Sequence, residues 1–159
     1  MRPPSPQTTI HYLYRDAANF KAFGQFRVVG DVPPEAIAEI HAKLEGGVGF
    51  VAEQVRIPPL YRQLYRHSRG QTADDHAFHE LVAILPTTPA DRASSRVLYS
   101  AARLLGLFRR VTCWDVTCSP HGAVWFDGDQ ARGPRLTASA TAAIPLPPDP
   151  PPSSAPLPP

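Results

Sequence analysis

A chain of 159 residues, 43% of them hydrophobic, can bury one modest core, and its length argues against a set of separate domains. No stretch approaches the roughly 20 consecutive apolar residues of a membrane-spanning helix. Two cysteines are too few for a disulfide-held secreted scaffold, and a net charge of +2 gives the molecule as a whole no strong field for polyanions. The stretch from Met1 to Gln7 lacks the charged-then-apolar layout of a secretory signal, so a cytoplasmic protein is expected.

Residues 9–15, T-I-H-Y-L-Y-R, alternate β-branched and aromatic residues with polar ones and predict a strand with Ile10, Tyr12 and Tyr14 on one face. Asp16-Ala-Ala-Asn19 supplies turn formers whose side chains bond their own backbone, and Gln25 to Val29 resumes the extended pattern, making a hairpin. Gly30-Asp31-Val32-Pro33-Pro34 then opens a helix, with Asp31 as the expected acceptor for its free N–H groups. Ala36, Ile37, Ile40 and Leu44 recur at helical spacing until Gly46-Gly47 stops the run. Val48 to Val51 reads as a short strand, Pro58-Pro59 as a break, and His76 to Leu85 as a further strand.

After a linker at Pro86 to Pro89, the segment Ala90 to Val111 carries Val97, Leu98, Ala101, Leu105 and Phe108 along one stripe and predicts a single amphipathic helix rich in arginine. Thr112 to Thr117 and Ala123 to Phe126 read as a small hairpin. Between Pro145 and Pro159 nine of fifteen residues are proline, a composition that cannot offset its ordering entropy and predicts a disordered, polyproline-like tail. The expected fold class is therefore α+β: a small antiparallel sheet in the order β-β-α-β-β with one packed helix, an additional C-terminal amphipathic helix, and a Pro-rich tail. The expected division is a disordered start at 1–8, an α+β domain at 9–86, the basic helix and hairpin at 87–127, and the tail at 128–159.

Several groupings have the residue types that chemistry needs. Tyr12, Arg15, Asp16 and Lys21 gather at a strand end and its loop, and with His79 and Glu80 they would form a phosphate-handling or acid–base set if the fold brought them together. The plainer reading of the same residues is a half-buried strand closed by a self-bonding turn. His76 and His79 would share a face on a helix, but three residues apart on a strand they fall on opposite faces, which argues against a metal. Cys113, Cys118 and His121 lack a fourth ligand and read as two buried thiols rather than a zinc site. Gly46-Gly47-Val48-Gly49 follows a helix and precedes a strand, the reverse of a phosphate loop, so no cofactor or metal is expected.

Basic residues balance acidic ones, nine against nine, over residues 1–86, whereas Arg92, Arg96, Arg103, Arg109 and Arg110 face only Asp91 in the next segment. Arg96, Arg103, Arg109 and Arg110 are accordingly the candidate nucleic-acid contacts, against the plainer alternative of a solvated helix face.

The blocks I-H-Y-L-Y-R-D-A-A-N-F-K, V-A-E-Q-V-R-I-P-P-L-Y and D-D-H-A-F-H-E-L-V-A-I resemble those of a group of short uncharacterised bacterial proteins, over Thr9 to Leu85 or about half the chain. The resemblance implies a compact bacterial domain and no particular chemistry. With no nucleophile–base set, phosphate loop or closed metal site in view, the leading expectation is a regulatory or accessory protein that binds another protein. Nucleic-acid binding through the arginine helix and a small nuclease-like enzyme are the alternatives.

Overall fold

Strands β1 (Gln7–Arg15), β2 (Lys21–Val29), β3 (Gly49–Val51), β4 (Phe78–Pro86) and β5 (Val97–Ser100) form one five-stranded sheet in the order β3-β4-β1-β2-β5, with β1 at its centre. The structure, a computed structural model, describes residues 5–122. Ile10, Tyr12 and Tyr14 are buried on one face of β1 as the sequence implies, and Thr9 and Leu13 on its other face are buried as well. Strand β2, Lys21–Val29, pairs antiparallel with it from Gln7 opposite Val29 to Arg15 opposite Lys21. The connecting turn is held by the Phe20 amide donating to Asp16 Oδ1 at 2.8 Å, with Asn19 in the left-handed region at φ 69. Gly24 lies opposite Tyr12, and a Cβ there would meet Leu60 Cδ2 at 2.7 Å, so the bare backbone leaves room for the Leu60 side chain.

Helix α1, Pro34–Lys43, begins directly at its proline. Asp31 does not cap it: Pro33 takes the N-cap position with no side-chain bond, because the Pro33-Pro34 pair sets the extended-to-helical turn by itself. Strand β3, Gly49–Val51, then pairs antiparallel with β4, Phe78–Pro86. Between them the chain makes a long excursion through a 3₁₀ turn at Tyr61–Gln63 and the one-turn helix α2, Tyr65–Ser68. Strand β4 also pairs antiparallel with β1, with a bulge where His11 faces Ala83 and Tyr12 faces Leu81, which leaves Val82 as the extra residue, 54% exposed.

The predicted continuous helix over 90–111 is replaced by helix α3, Pro89–Ser94, strand β5, Val97–Ser100, and helix α4, Ala101–Arg109. Local chemistry accounts for the break. Thr88 and Asp91 form a reciprocal capping box that starts α3, and the Ser100 side chain accepts from the Arg103 amide to start α4. The V-L-Y triplet between them has strand-forming residues and adds to the sheet beside β2. That addition is parallel, with Arg27 opposite Val97, so the sheet is mixed and not purely antiparallel.

No hairpin strand forms over Thr112 to Thr117. The Trp114 indole donates to the Lys43 carbonyl at 2.9 Å and the Asp115 amide to Gln54 Oε1 at 2.8 Å, so this segment becomes a strap over the core ending in a 3₁₀ turn at Val116–Cys118. Cys113 and Cys118 sit on this strap as exposed free thiols, not as buried ones. The other half of the expected hairpin, Ala123 to Phe126, and the Pro-rich tail lie outside the described residues.

One core joins the regions on either side of Pro86. Ile10, Phe26 and Val28 of the sheet and Ile40 of α1 pack in the same cluster as Leu104, Phe108 and Val111. Helix α4 is therefore part of the domain's interior. Phe108, 2% exposed and 6.2 Å from the Phe50 ring, is expected to cost about 3–5 kcal/mol when replaced by alanine. Urea unfolding of Phe108→Ala measures this, and a loss under 1 kcal/mol would mean that α4 is peripheral.

Candidate functional site

Helices α1 and α4 and the excursion before β4 cover one face of the sheet, where the aromatic core lies. The opposite face is only partly covered. Around α3, Gln25 Nε2 donates to Ser94 Oγ at 2.6 Å, the Arg27 guanidinium grips the Ser95 carbonyl at 2.6 and 3.1 Å, and the Thr9 hydroxyl meets Thr87 at 3.0 Å. Beyond that end the face is open, with Phe23 68%, Val82 54% and Leu85 51% exposed. Isolated exposed apolar side chains are common, but several on one sheet face form a patch of the kind that marks binding surfaces.

Two shallow concavities meet there. One, of about 470 Å³, is lined by residues that include His11, Phe23, Gln25, Val82 and Leu85. The other, of about 390 Å³, lies between the start of β2 and the turn into α2, lined by Lys21, Ala22, Phe23, Gln63, Leu64, Arg66 and His67. Phe23 lines both.

The second concavity borders an uncompensated cationic stretch. Residues 54–73 contain Arg56, Arg62, Arg66, Arg69 and His67 and no Asp or Glu, and all five of these basic side chains are exposed. Among the described residues none of the four guanidiniums makes a hydrogen bond or ion pair. Asp16, at the hairpin turn one strand-end away, is engaged by the Phe20 amide. Charge balance over residues 1–86 hides this cluster, because Glu53, Asp74 and Asp75 flank it in sequence and the remaining acids lie elsewhere.

The sheet divides the enzyme-like set that the sequence suggested. Tyr12 and His79 lie on the core face. The Tyr12 hydroxyl donates to the Pro58 carbonyl at 2.8 Å, and burial pushes its pKa up to about 12. His79 is wholly buried and its Nε2 accepts from the Leu60 amide at 2.9 Å. Burial outweighs the opposing pull of the Ala77 backbone and takes its pKa down to about 3, so the ring is neutral near pH 7. Arg15 and Glu80 pair with each other on the other face, Nε to Oε1 at 3.0 Å, while Asp16 serves its turn and Lys21 stands in the basic concavity. These six residues do not converge.

The four candidate nucleic-acid arginines do not line one helix either. Arg96 precedes β5, Arg103 and Arg109 lie on α4, and Arg110 follows it; all are exposed. Arg109 is held in a two-pronged pair with Glu39 of α1, 2.6 and 2.9 Å, which lowers the Glu39 pKa and engages that cation within the fold.

A buried polar web also emerges that no spacing rule would reveal, since its members are scattered from 14 to 121. The Tyr14 hydroxyl donates to Asp75 Oδ1 at 2.8 Å and accepts from the His76 amide at 3.0 Å. The Tyr61 hydroxyl donates to Glu53 Oε1 at 2.9 Å, and Tyr65 and His121 Nε2 share a hydrogen bond at 2.8 Å. His76 and His79 both lie against the Tyr14 ring, at 5.3 and 5.2 Å. The opposite-face expectation fails for them because His76 precedes β4 in a turn, where strand alternation does not apply. Among the described residues no group of three or more His, Cys, Asp or Glu side chains is arranged to hold a metal ion. Burial raises the Tyr14 and Tyr61 pKa values and lowers those of His76 and His121, so these groups stay neutral, as a structural network does. No protein-family model, curated protein or solved structure matches the chain.

Three histidines with depressed pKa values, His79 and His121 buried and His76 half-buried, give stability a pH dependence. A histidine with a depressed folded pKa is neutral in the native state while the unfolded chain takes up a proton, so stability is complete above about pH 6.5 and is lost as pH falls toward the folded pKa. For His79 alone the decline is of order 1 kcal/mol per pH unit below pH 6.5, down to its folded value of about 3. Urea midpoints at pH 8, 7, 6 and 5 measure it; a midpoint flat from 7 to 5 contradicts neutral burial of these rings.

Proposed function

We propose that this protein binds a polyanion, nucleic acid in the first instance, on the cationic ridge formed by Lys21, Arg62, Arg66, His67 and Arg69. The observation that carries this reading is the run of unpaired guanidiniums on residues 54–73, without a carboxylate in the segment, beside a concavity that Lys21 lines together with Arg66 and His67. Clustered cations that the fold does not neutralise attract phosphates and release their counterions, even when net charge is only +2. The reading differs from the sequence expectation in location: it rests on the excursion before β4, and the α4 arginines are secondary because Glu39 engages one of them. Among the described residues no helix is long and apolar enough to cross a membrane.

A regulatory protein that docks a polypeptide is the second reading, favoured by the exposed Phe23, Val82 and Leu85. Salt separates the two. Anisotropy of a fluorescent 20-base oligonucleotide, titrated with the full chain from 50 to 300 mM salt, is expected to show affinity falling with a log–log slope of about −2 to −3, as for three or four phosphates at about −0.7 each. Replacing Arg62, Arg66 and Arg69 with glutamine should remove most of this slope, whereas glutamine at Arg103, Arg109 and Arg110 should leave it nearly intact. Equal losses from both triple variants would mean diffuse charge, and an absence of binding at 50 mM salt would favour the polypeptide reading.

A further inference from the structure

The cationic ridge does not explain why a phenylalanine stands 68% exposed where the two concavities meet. Phosphate contacts alone need no aromatic ring. Phe20, 64% exposed, adds a second such ring at the adjoining turn, directly before Lys21. Aromatic faces beside unpaired cations are the combination with which proteins hold single strands: the cations follow the backbone and each ring takes a base, since every base has a π-face to stack. In a duplex those faces are already stacked on one another and unavailable to a side chain.

Resting on the polyanion reading above, we infer that the ligand is single-stranded nucleic acid, with a base stacked on Phe23 and its flanking phosphates on Lys21 and Arg66. The surroundings suit this arrangement. Lys21, Phe23 and Arg66 line the same concavity of about 390 Å³, so ring and cations face one space. The second concavity, about 470 Å³, continues from Phe23 over His11 and Gln25 to Val82 and Leu85, and provides room for a neighbouring base. The β4 bulge opposite His11 and Tyr12 leaves Val82 as the extra, exposed residue of that surface. The open sheet face and the ridge thereby act as one surface, with the bases on the sheet and the backbone along the ridge.

The test titrates the full chain into a labelled strand of twelve thymidines and, separately, into a labelled twelve-base-pair duplex, both at 50 mM salt. The expected result is affinity for the single strand at least tenfold above that for the duplex. Phe23→Ala should weaken single-strand binding about tenfold while leaving the salt slope unchanged. Phe23→Tyr should restore it, and Arg66→Gln should weaken binding and reduce the slope by about 0.7. Because Phe23 is largely exposed, an unchanged thermal melt of Phe23→Ala keeps any affinity change assignable to the ring. Equal affinity for strand and duplex, with Phe23→Ala unchanged, would overturn this inference and leave the polyanion reading standing. Failure of both oligonucleotides and of heparin to bind would overturn both, and poly-glutamate binding as tightly as the thymidine strand would replace the nucleic acid with an acidic polypeptide.

Discussion

A phenol sealed in an apolar core must find partners for its hydroxyl or lose the hydrogen bonds that water would give it, and Tyr14 meets that demand with Asp75 and the His76 amide. Those two residues lie 61 and 62 positions along the chain, so satisfying one hydroxyl pins the end of the central strand to the entry of β4. The pairing of β1 with β4 follows, and His79, three residues beyond His76, is drawn beneath the same ring, where its Nε2 holds the Leu60 amide. Closing the excursion from Ala52 to Ala77 over the core in this way brings the stretch that carries Arg62, Arg66 and His67 alongside the start of β2.

The candidate surface is in this sense a by-product of core satisfaction. Tyr61, Tyr65 and His121 take up the inward side of the turn into α2, and Tyr61 and Tyr65 alternate in sequence with residues that remain outside. Neutral, hydrogen-bonded groups stabilise the interior, while uncompensated charge stays in water, where it costs little and remains available to a ligand. The same logic makes a catalytic role for His79 unattractive. Its imidazole is wholly buried and already committed to a backbone amide, and Glu80, the next residue, points to the other face to pair with Arg15.

How much was legible varies with how local the cause is. The alternation in β1, the self-bonding turn at Asp16, the helix ended near Gly46-Gly47, and strands near Val51 and Leu85 all follow from residues within a few positions of each other. The break in the arginine-rich segment was legible in principle, since Thr88 with Asp91 and Ser100 with Arg103 are cap spacings, but the apolar stripe through Val97, Leu98 and Phe108 has the stronger helical period and hides them. The cation cluster was equally visible in residues 54–73, and was obscured only by counting charge over the whole of 1–86.

Backbone propensity, turn chemistry and periodicity act over one or two turns of chain, and these determined the α+β class, the first hairpin, α1 and the faces of β1 from sequence alone. Tertiary structure decided what depends on contacts between distant residues: the parallel addition of β5, the joining of α4 to the common core, the division of the enzyme-like set by the sheet, and the meeting of Phe23 with Lys21 and Arg66. The physical reason is that such pairings are chosen by which arrangement buries the most apolar surface while giving core hydroxyls such as those of Tyr12, Tyr14 and Tyr61 a hydrogen-bond partner. That selection is made over the whole chain at once, and no local window of sequence contains it.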